Sequence, residues 1–367
     1  MKCKSKYWMT ALLLVLNVYL IEAQSFTENK NVVKRYKIYP GSTLDITNKY
    51  GKIEFVNWDK DSAMIEAFLK IQTNSASRMS KLRNSIDFDF SITNHYIVAK
   101  TVFKTNGNAI ISGIKNIAES IVYNGDEVKI DYIVTIPKNI NIRVNNKYGD
   151  VYADDIDGDI RFIVANGGFK ANNLTGNVSI ELSFGDGTLN KMDKGRLAVS
   201  YSDFTVKEAN QLNLESKSSK INIENVESLK LKSRHDKLQL GSLKFLTGET
   251  DFSDIWINSL TEEMNLNTKF GSITTDNIRK GFSFVNINSE LTDLSLFFER
   301  GSTYQYDITY FKDAFIRLPK EAVKSEDKIA SYNTLLKLSY GYLGSAESAA
   351  KVKIFAAKKA SVSLFMR

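Results

Sequence analysis

Residues 147–187 read KYGDVYADDIDGDIRFIVANGGFKANNLTGNVSIELSFGDG, and a four-residue motif occurs three times in this stretch. Its copies are Tyr148-Gly149-Asp150-Val151, Asn166-Gly167-Gly168-Phe169 and Phe184-Gly185-Asp186-Gly187. The later copies are Tyr201-Ser202-Asp203-Phe204, Ser218-Ser219-Lys220-Ile221, Phe252-Ser253-Asp254-Ile255 and Phe270-Gly271-Ser272-Ile273. With Leu238 filling the gap before Ile255, the last positions are about 17–18 residues apart, a period that indicates stacked β-coils.

Apolar residues alternate with polar ones between these motifs. The apolar pairs are Leu212/Leu214, Leu229/Leu231, Met264/Leu266 and Phe282/Phe284, and Leu246 keeps the same interval. Residues i and i+2 share one face of a strand, and equivalent positions of stacked strands lie on top of each other, so these pairs predict buried columns. The glycine or serine of the motif fits a tight corner that needs a positive φ or no bulky side chain.

We therefore expect an all-β chain that forms a single-chain parallel β-helix or β-solenoid, with about 17–20 residues per coil. An antiparallel β-sandwich with a turn about every eight or nine residues is the alternative. The solenoid is predicted to occupy residues 136–320. The three prolines, Pro40, Pro137 and Pro319, lie close to predicted element boundaries.

The rest of the chain is divided around this segment. Residues 1–23 have a basic start, an apolar run and a small residue at Ala23, which predicts a signal peptide; an N-terminal membrane anchor is the alternative. Residues 24–135 are predicted to be a β-rich first coil with an insertion, because Tyr50-Gly51-Lys52-Ile53 matches Tyr148-Gly149-Asp150-Val151. Within it we expect a short helix or loop at 75–85 and a loop at 106–124. Residues 321–367 are predicted to make an excursion and return as closing strands at 352–355 and 362–365.

Charge and cysteine content narrow the classes of partner. The net charge of +7 is mild for 367 residues, so it permits contact with anionic polymers or peripheral contact with a membrane but predicts no nucleic-acid groove. The densest basic run is Lys230, Lys232, Arg234 and Lys237, which we interpret as a solvated strand face. Cys3 is the only cysteine and lies in the predicted signal peptide, so the mature chain is expected to contain no disulfide and no thiolate metal site.

The residues that could carry catalysis or bind metal are few. The acidic cluster Asp154, Asp155, Asp157 and Asp159 has some of the spacing of a calcium loop, but its glycine is misplaced and it lacks the closing glutamate. His95 and His235 are the two histidines of the chain and are about 140 residues apart in sequence, so few residues are available to build a zinc site or a catalytic triad. Carboxylates of different coils, such as Asp186 and Asp203, could align without any sequence motif. We predict no catalytic, cofactor or metal site and no enzymatic activity; a polysaccharide-active β-helix enzyme is the less favoured alternative.

The mature chain resembles a known family over nearly all of its length. The strand at 128–137 ends in Pro137 and is followed by 141–144 and by Tyr148-Gly149-Asp150-Val151. This order, together with Leu44-Asp45-Ile46 and the early Tyr50-Gly51-Lys52-Ile53, is similar to the bacterial putative adhesin family of cell-envelope β-solenoid proteins. The resemblance implies an exported envelope protein with a β-helical fold, and it implies no catalytic residues.

Two binding functions fit these observations. The first is an adhesin-like module that recognises a protein or a glycan through its coil faces, with Tyr201, Trp256, Tyr304, Tyr306 and Tyr310 as candidate exposed aromatics. The second is a periplasmic scaffold or sensor that binds another envelope protein. Both predict an exported protein of the periplasm or the cell surface, and the identity of the partner stays open.

Overall fold

The structure, a computed structural model, describes residues 25–93, 95–104, 126–324, 328–329, 335–357 and 359–367. The predicted signal peptide and the predicted loop at 106–124 lie outside these residues. The first strands are β1 (Phe26–Lys37), β2 (Thr43–Lys49), β3 (Ile53–Asn57), β4 (Ser62–Thr73), β5 (Ile86–Ile92), β6 (Tyr96–Phe103), β7 (Glu127–Ile136), β8 (Asn141–Lys147) and β9 (Val151–Ala153). One helix, α1 (Ala76–Ser85), lies between β4 and β5 among the described residues.

The remaining strands follow without another helix in the described part of the chain. They are β10 (Ile156–Ala165), β11 (Phe169–Ser183), β12 (Asp186–Ser200), β13 (Asp203–Lys217), β14 (Lys220–Arg234), β15 (Lys237–Ile278), β16 (Phe284–Phe298), β17 (Tyr304–Phe311), β18 (Phe315–Arg317), β19 (Val323–Lys324), β20 (Lys328–Ile329), β21 (Leu336–Leu343), β22 (Lys351–Ala357) and β23 (Ser361–Met366). The chain is all-β, as expected, and its strands belong to one mixed sheet.

The middle of the sheet is a ladder of parallel strands, β8 and β10 to β16, in which each strand pairs with the next. Equivalent residues follow the predicted offset of 17 or 18: Val151 pairs with Phe169, Phe169 with Gly187, and onwards through Phe204, Ile221 and Leu238. We use the term row for one level of the ladder, meaning the strand segment at that level together with the corner next to it. The long strand β15 spans more than one row. Parallel pairing at this offset means that each row lies directly on the one before it in sequence.

The predicted columns are buried between the rows. Leu212 pairs with Leu229 and Leu229 with Leu246, and all three side chains are at most 1% exposed. The expected continuation through Phe282 is wrong, because Met264 pairs with Val285 instead. A turn closed by the Phe282 amide and the Arg279 carbonyl lengthens this row, and the Phe282 ring packs on Phe298 at 5.4 Å between centroids.

At the N-terminal end the chain order and the row order differ. Strands β2 and β3 form the first row. It lies between β8 and β9 on one side and β6 and β7 on the other, and all these pairings are parallel. Ile53 pairs with Val151, so the predicted match between the two motifs is confirmed. The insertion β4–β7 therefore returns to the far side of the first row, where β4 runs antiparallel to β7 and β1, and β5 to β6. The helix α1, capped by Ser75, lies at 76–85, within the region where a helix or loop was expected.

The C-terminal end is interleaved in the same way. Strands form at both places where closing strands were expected, but they do not close the ladder. Strand β22 lies between β16 and β17, and β23 lies between β16 and β18, with parallel pairing on both sides. Beyond them, β17 pairs with the antiparallel strand β21, which also pairs with β19 and β20. The last strands of the sequence are thus interior, and antiparallel strands cover both ends.

Candidate binding surface: an exposed aromatic ridge

The first residue of the motif adopts a left-handed backbone in the row of β2 and β3 and in the rows from β8 to β16. These non-glycine residues have φ between 50° and 64°, and they are Tyr50, Tyr148, Asn166, Phe184, Tyr201, Ser218, His235, Phe252, Phe270 and Leu291. A left-handed conformation costs roughly 1–2 kcal/mol for a residue with a Cβ, and large side chains rarely adopt it. The corner is therefore built on the residue before the glycine, and in most rows that residue is aromatic.

Of the two reasons expected for the motif glycines, a positive φ applies to Gly271 (95°) but not to Gly51, Gly149, Gly167 and Gly185, where the lack of a side chain is what matters. A Cβ on Gly167 would lie 2.1 Å from the Gly149 carbonyl oxygen, and one on Gly185 would lie 2.0 Å from that of Gly167. The rows are therefore too close at this point for any side chain directed at the neighbouring row. In later rows the same position holds buried serines or Asp236, whose side chains make hydrogen bonds between rows.

The aromatic corner residues line up along the ladder, with breaks at Asn166 and Ser218, and we call this feature the aromatic ridge: Tyr50, Tyr148, Phe184, Tyr201, His235, Phe252 and Phe270. Rings in adjacent rows stack face to face, with centroids 5.4 Å apart for Tyr50 and Tyr148, 5.1 Å for Phe184 and Tyr201, and 4.3 Å for Phe252 and Phe270. About half of the Tyr148, Phe184, Tyr201 and Phe252 surfaces is exposed. The ring normals point along the ladder, so solvent meets mainly ring edges.

Lysines flank the ridge at two points. The Lys49 ammonium lies 5.2 Å from the Tyr50 centroid and 5.4 Å from that of Tyr148, and the Lys217 ammonium lies 5.6 Å from Tyr201. Burial lowers the pKa of Lys49, with a smaller contribution from Lys147, and burial raises the pKa of the Tyr50 hydroxyl, with a smaller contribution from Tyr148. Both directions indicate that this end of the ridge is partly desolvated.

Three of the four residues of the acidic cluster make side-chain contacts within the fold, and the fourth, Asp157, is bound through its backbone amide to the Lys138 carbonyl. Asp155 accepts from the Lys138 ammonium at 3.0 Å and from the Asn173 amide at 2.9 Å, which lowers its pKa, and Asp159 accepts from Asn177 at 2.8 Å. Asp154 lies 3.5 Å from the Asn172 amide. Asp186 and Asp203 do align, as considered from the sequence, and Lys220 continues their column. Among the described residues there is no group of three or more potential metal ligands of the histidine, cysteine or carboxylate type.

The candidate aromatics divide into exposed and buried residues. Tyr201 is 48% exposed and Trp256 50%, and the Trp256 indole donates to Asp276 at 3.0 Å. The expectation that Tyr304 and Tyr306 could be exposed is wrong: both are buried, because they face the interior of the last row. Tyr310 is half-buried against the core.

The two histidines lie in different parts of the sheet. His95 directly precedes β6, the row at the N-terminal end, whereas His235 belongs to the ridge, stacked on Phe252 at 4.9 Å. The predicted solvated basic run is exposed, with Leu231 buried between its lysines.

The sequence reading missed the ridge as a site, although its signal was present. Tyr148, Phe184, Tyr201, Phe252 and Phe270 all occupy the first motif position, one residue before the corner glycine or serine. Alternation alone suggests no direction for a residue at a corner, because corners lie outside the strand period. The left-handed φ is what turns these rings outward together.

Comparison with known proteins gave distant structural likenesses only. No protein-family model and no curated protein matches the chain. Among solved structures, the chain is similar to a putative adhesin from Parabacteroides merdae (10% identity, 72% of this chain and 95% of that one, TM-score 0.36). It is also similar to a putative adhesin from Bacteroides fragilis (11%, 72% and 96%, 0.31) and to a putative cell adhesion protein from Clostridium sporogenes (8%, 93% and 100%, 0.15). At these identities, the function of this chain has to be inferred from its own residues.

Proposed function

We propose that this protein is an exported cell-envelope binding protein, an adhesin-like β-solenoid that recognises a protein or a glycan through its coil faces and the aromatic ridge. In this proposal the ladder β8–β16 winds as successive coils of one solenoid, and antiparallel strands cover the two ends of the sheet. The protein acts by binding, without catalysis and without a cofactor. In the described part of the chain, no helix has both the length and the apolar character needed to cross a bilayer.

The observation that carries the proposal is the strained, exposed character of the ridge. Asparagine or glycine makes a left-handed corner at lower cost, and Asn166 shows that the fold accepts asparagine there. Tyr148, Phe184, Tyr201 and Phe252 nevertheless keep large rings in that conformation while leaving about half of each in solvent. Exposed aromatics aligned over several rows are the type of surface that proteins use for recognition.

A periplasmic scaffold or sensor is the second candidate, and a different surface favours it. On the strand face before the corner, Arg161 and Arg196 share Glu181 at 3.1 and 3.9 Å, and Arg196 also binds Glu215 at 2.8 Å. The hydrogen bond from Arg196 lowers the pKa of Glu215. A face of alternating charge is suited to a protein partner of complementary pattern.

Two measurements test the proposal. Protease treatment of intact cells distinguishes the locations: loss of the protein favours the surface, whereas protection favours the periplasm. Capture from envelope extract and from an oligosaccharide array is then compared between the native protein and a Phe184→Ser/Tyr201→Ser/Phe252→Ser variant, in which all three lost rings are exposed. We expect the variant to remain folded and to lose most of the captured material. Equal capture by both proteins, or turnover of a polysaccharide by the native protein, would overturn the proposal.

A further inference from the structure

The aromatic ridge is interrupted at two rows, where the corner residue is small and polar. Asn166 lies between Tyr148 and Phe184, and Ser218 lies between Tyr201 and His235. Rings in adjacent rows are 5.1–5.4 Å apart in the stacked pairs nearest these gaps, so two rings separated by a missing one face each other across roughly 10 Å. Each interruption is thus a slot with an aromatic face on either side. We call them the Asn166 gap and the Ser218 gap.

The two gaps differ in what already fills them. Lys217, the residue before Ser218, places its ammonium 5.6 Å from the centroid of Tyr201. The corresponding residue before Asn166 is Ala165, and the residues after it are Gly167 and Gly168. The Asn166 gap is therefore cleared on both sides of the ridge, and the Ser218 gap is partly occupied by a side chain of the protein.

The two glycines beside the Asn166 gap differ in how strictly packing requires them. In the register of the ladder, Gly168 occupies the position held by Asp150, Asp186 and Asp203 in neighbouring rows. A Cβ at Gly168 would come no closer than 3.2 Å to any atom, whereas one at Gly167 would collide with backbone at 2.1 Å. A Cβ at 168 would require only a small shift of the Asp150 side chain, so the fold demands glycine strictly at 167 and much less strictly at 168.

Polar groups line the cleared slot. The Asn166 side-chain amide is exposed and makes no hydrogen bond within the described residues. In the rows on either side are Asp186, also exposed, and Asp150, whose oxygens accept from the Gly168 amide at 2.7 Å and from the Tyr152 hydroxyl at 2.9 Å. These groups can accept hydrogen bonds from hydroxyls at the rim of a ring held between the two aromatic faces.

We propose that the Asn166 gap binds one hexopyranose ring of a neutral glycan, sandwiched between Tyr148 and Phe184. This inference rests on the proposed binding function and names its ligand class. Carbon–carbon contacts of about 3.5–4.0 Å on each face give roughly 7–8 Å for a flat ring, so a thicker, puckered sugar ring fills a slot of this width better than an aromatic one. The two neighbouring carboxylates disfavour uronates and other acidic sugars by like-charge repulsion. Because rings block the slot along the ladder, the glycan chain must cross the ridge through the space cleared by Ala165, Gly167 and Gly168.

The test fills each gap in turn. Asn166→Tyr completes the stack at one gap and Ser218→Tyr does so at the other, at positions where neighbouring rows already hold aromatic rings. Binding is measured by saturation-transfer NMR and titration against neutral gluco-, manno- and galacto-oligosaccharides and against oligouronates, at concentrations up to a few millimolar. We expect the native protein to prefer a neutral oligosaccharide, Asn166→Tyr to weaken its binding at least tenfold, and Ser218→Tyr to leave it within about twofold.

Further variants keep the test decisive if Asn166→Tyr folds poorly, as thermal melts would show. Ala165→Lys copies the lysine that occupies the Ser218 gap and should also weaken binding, and Phe184→Ala should do so where Phe315→Ala, which removes an exposed ring outside the ridge, does not. If no neutral oligosaccharide binds, or if it binds Asn166→Tyr as well as the native protein, the inference is wrong. Continued capture of envelope material that depends on the ridge would then show that the proposed function itself still stands.

Discussion

The spatial order of the strands follows the sequence in the middle of the ladder but not at its two ends. From β10 to β16 each row lies on the one that precedes it in sequence, so the chain order and the spatial order agree. At the ends, β2 and β3 lie between β8/β9 and β6/β7, and β22 and β23 between β16 and β17/β18. A constant offset therefore determines the middle, while the ends are determined by pairings between residues far apart in sequence.

The largest effect is expected where a charge enters a buried row, and it compares the two regions directly. Leu229→Asp in the middle and Val352→Asp in β22 each place a carboxylate in a position 1% exposed and paired on both sides. We expect either substitution to destabilise by about 4 kcal/mol or more, or to prevent folding, because an unpaired charge is buried. Denaturant unfolding measures this.

Lys230→Asp is the matched control, because Lys230 is exposed and adjacent to Leu229. It should change the unfolding free energy by no more than about 0.5 kcal/mol. If Val352→Asp were as mild as this control, β22 would be a loosely attached outer strand, and the interleaved C-terminal end would be incorrect.

The second prediction concerns a polar network in the middle of the ladder that is centred on a buried carboxylate. Asp236 is 2% exposed and accepts hydrogen bonds from the hydroxyls of Ser216 and Ser233 and from the amides of Ser219 and Arg234, at 2.6–2.9 Å. Asp236→Ala leaves four donors without their acceptor, so we expect a loss of about 3 kcal/mol. The exposed Asp203→Ala serves as the control, with an expected change below about 0.5 kcal/mol. A small loss for Asp236→Ala would mean that water replaces the carboxylate.

The sequence predicts the middle of this fold better than its ends, and the reason is physical. Leu212, Leu229 and Leu246 could be assigned to one column because parallel pairing with a constant offset converts sequence spacing into spatial spacing. The same spacing predicts Phe282 as the residue that follows Met264 in the column, but Val285 occupies that place. The reason is that the turn near Arg279 adds residues without adding a row. The interleaved strands have no constant spacing in the sequence that would reveal their position. Strand β22, for example, pairs with β16 and β17, which lie far before it in the chain.

The candidate site was predicted only in part for a related reason. Tyr201 and Trp256 were correctly selected as exposed, but Tyr304 and Tyr306 were grouped with them although they face the core. Hydrophobic pattern cannot separate the two groups, because aromatic residues occupy both corners and interior positions here. The left-handed φ of Tyr201 separates them, and that is a property of the corner rather than of the residue type.

The third prediction tests how closely the rows approach at the glycine corners. Gly167→Ala would place a Cβ 2.1 Å from the Gly149 carbonyl oxygen, so the rows must separate, and we expect a loss of about 2–3 kcal/mol. Its neighbour Gly168→Ala meets nothing nearer than 3.2 Å and should cost less than about 1 kcal/mol. Thermal melts of the pair check this difference. Equal losses would show that glycine is required at both positions by the backbone, and would remove one support for the cleared Asn166 gap.

The smallest effect is expected on the ridge, at Phe252. This ring stacks on His235 and Phe270 at 4.9 and 4.3 Å but is 47% exposed, so its contribution to stability is limited to roughly 0.5–1.5 kcal/mol. Phe252→Asn loses the stacking energy but regains a similar free energy at the corner, because asparagine adopts the left-handed conformation at lower cost. Phe252→Ala loses the stacking without that compensation. We therefore expect Phe252→Asn to melt within a few degrees of the native protein and Phe252→Ala to be about 0.5–1 kcal/mol less stable than Phe252→Asn. A loss above about 2 kcal/mol in Phe252→Asn would show that the ridge holds the rows together, and the strain at its exposed rings would then support stability instead of recognition.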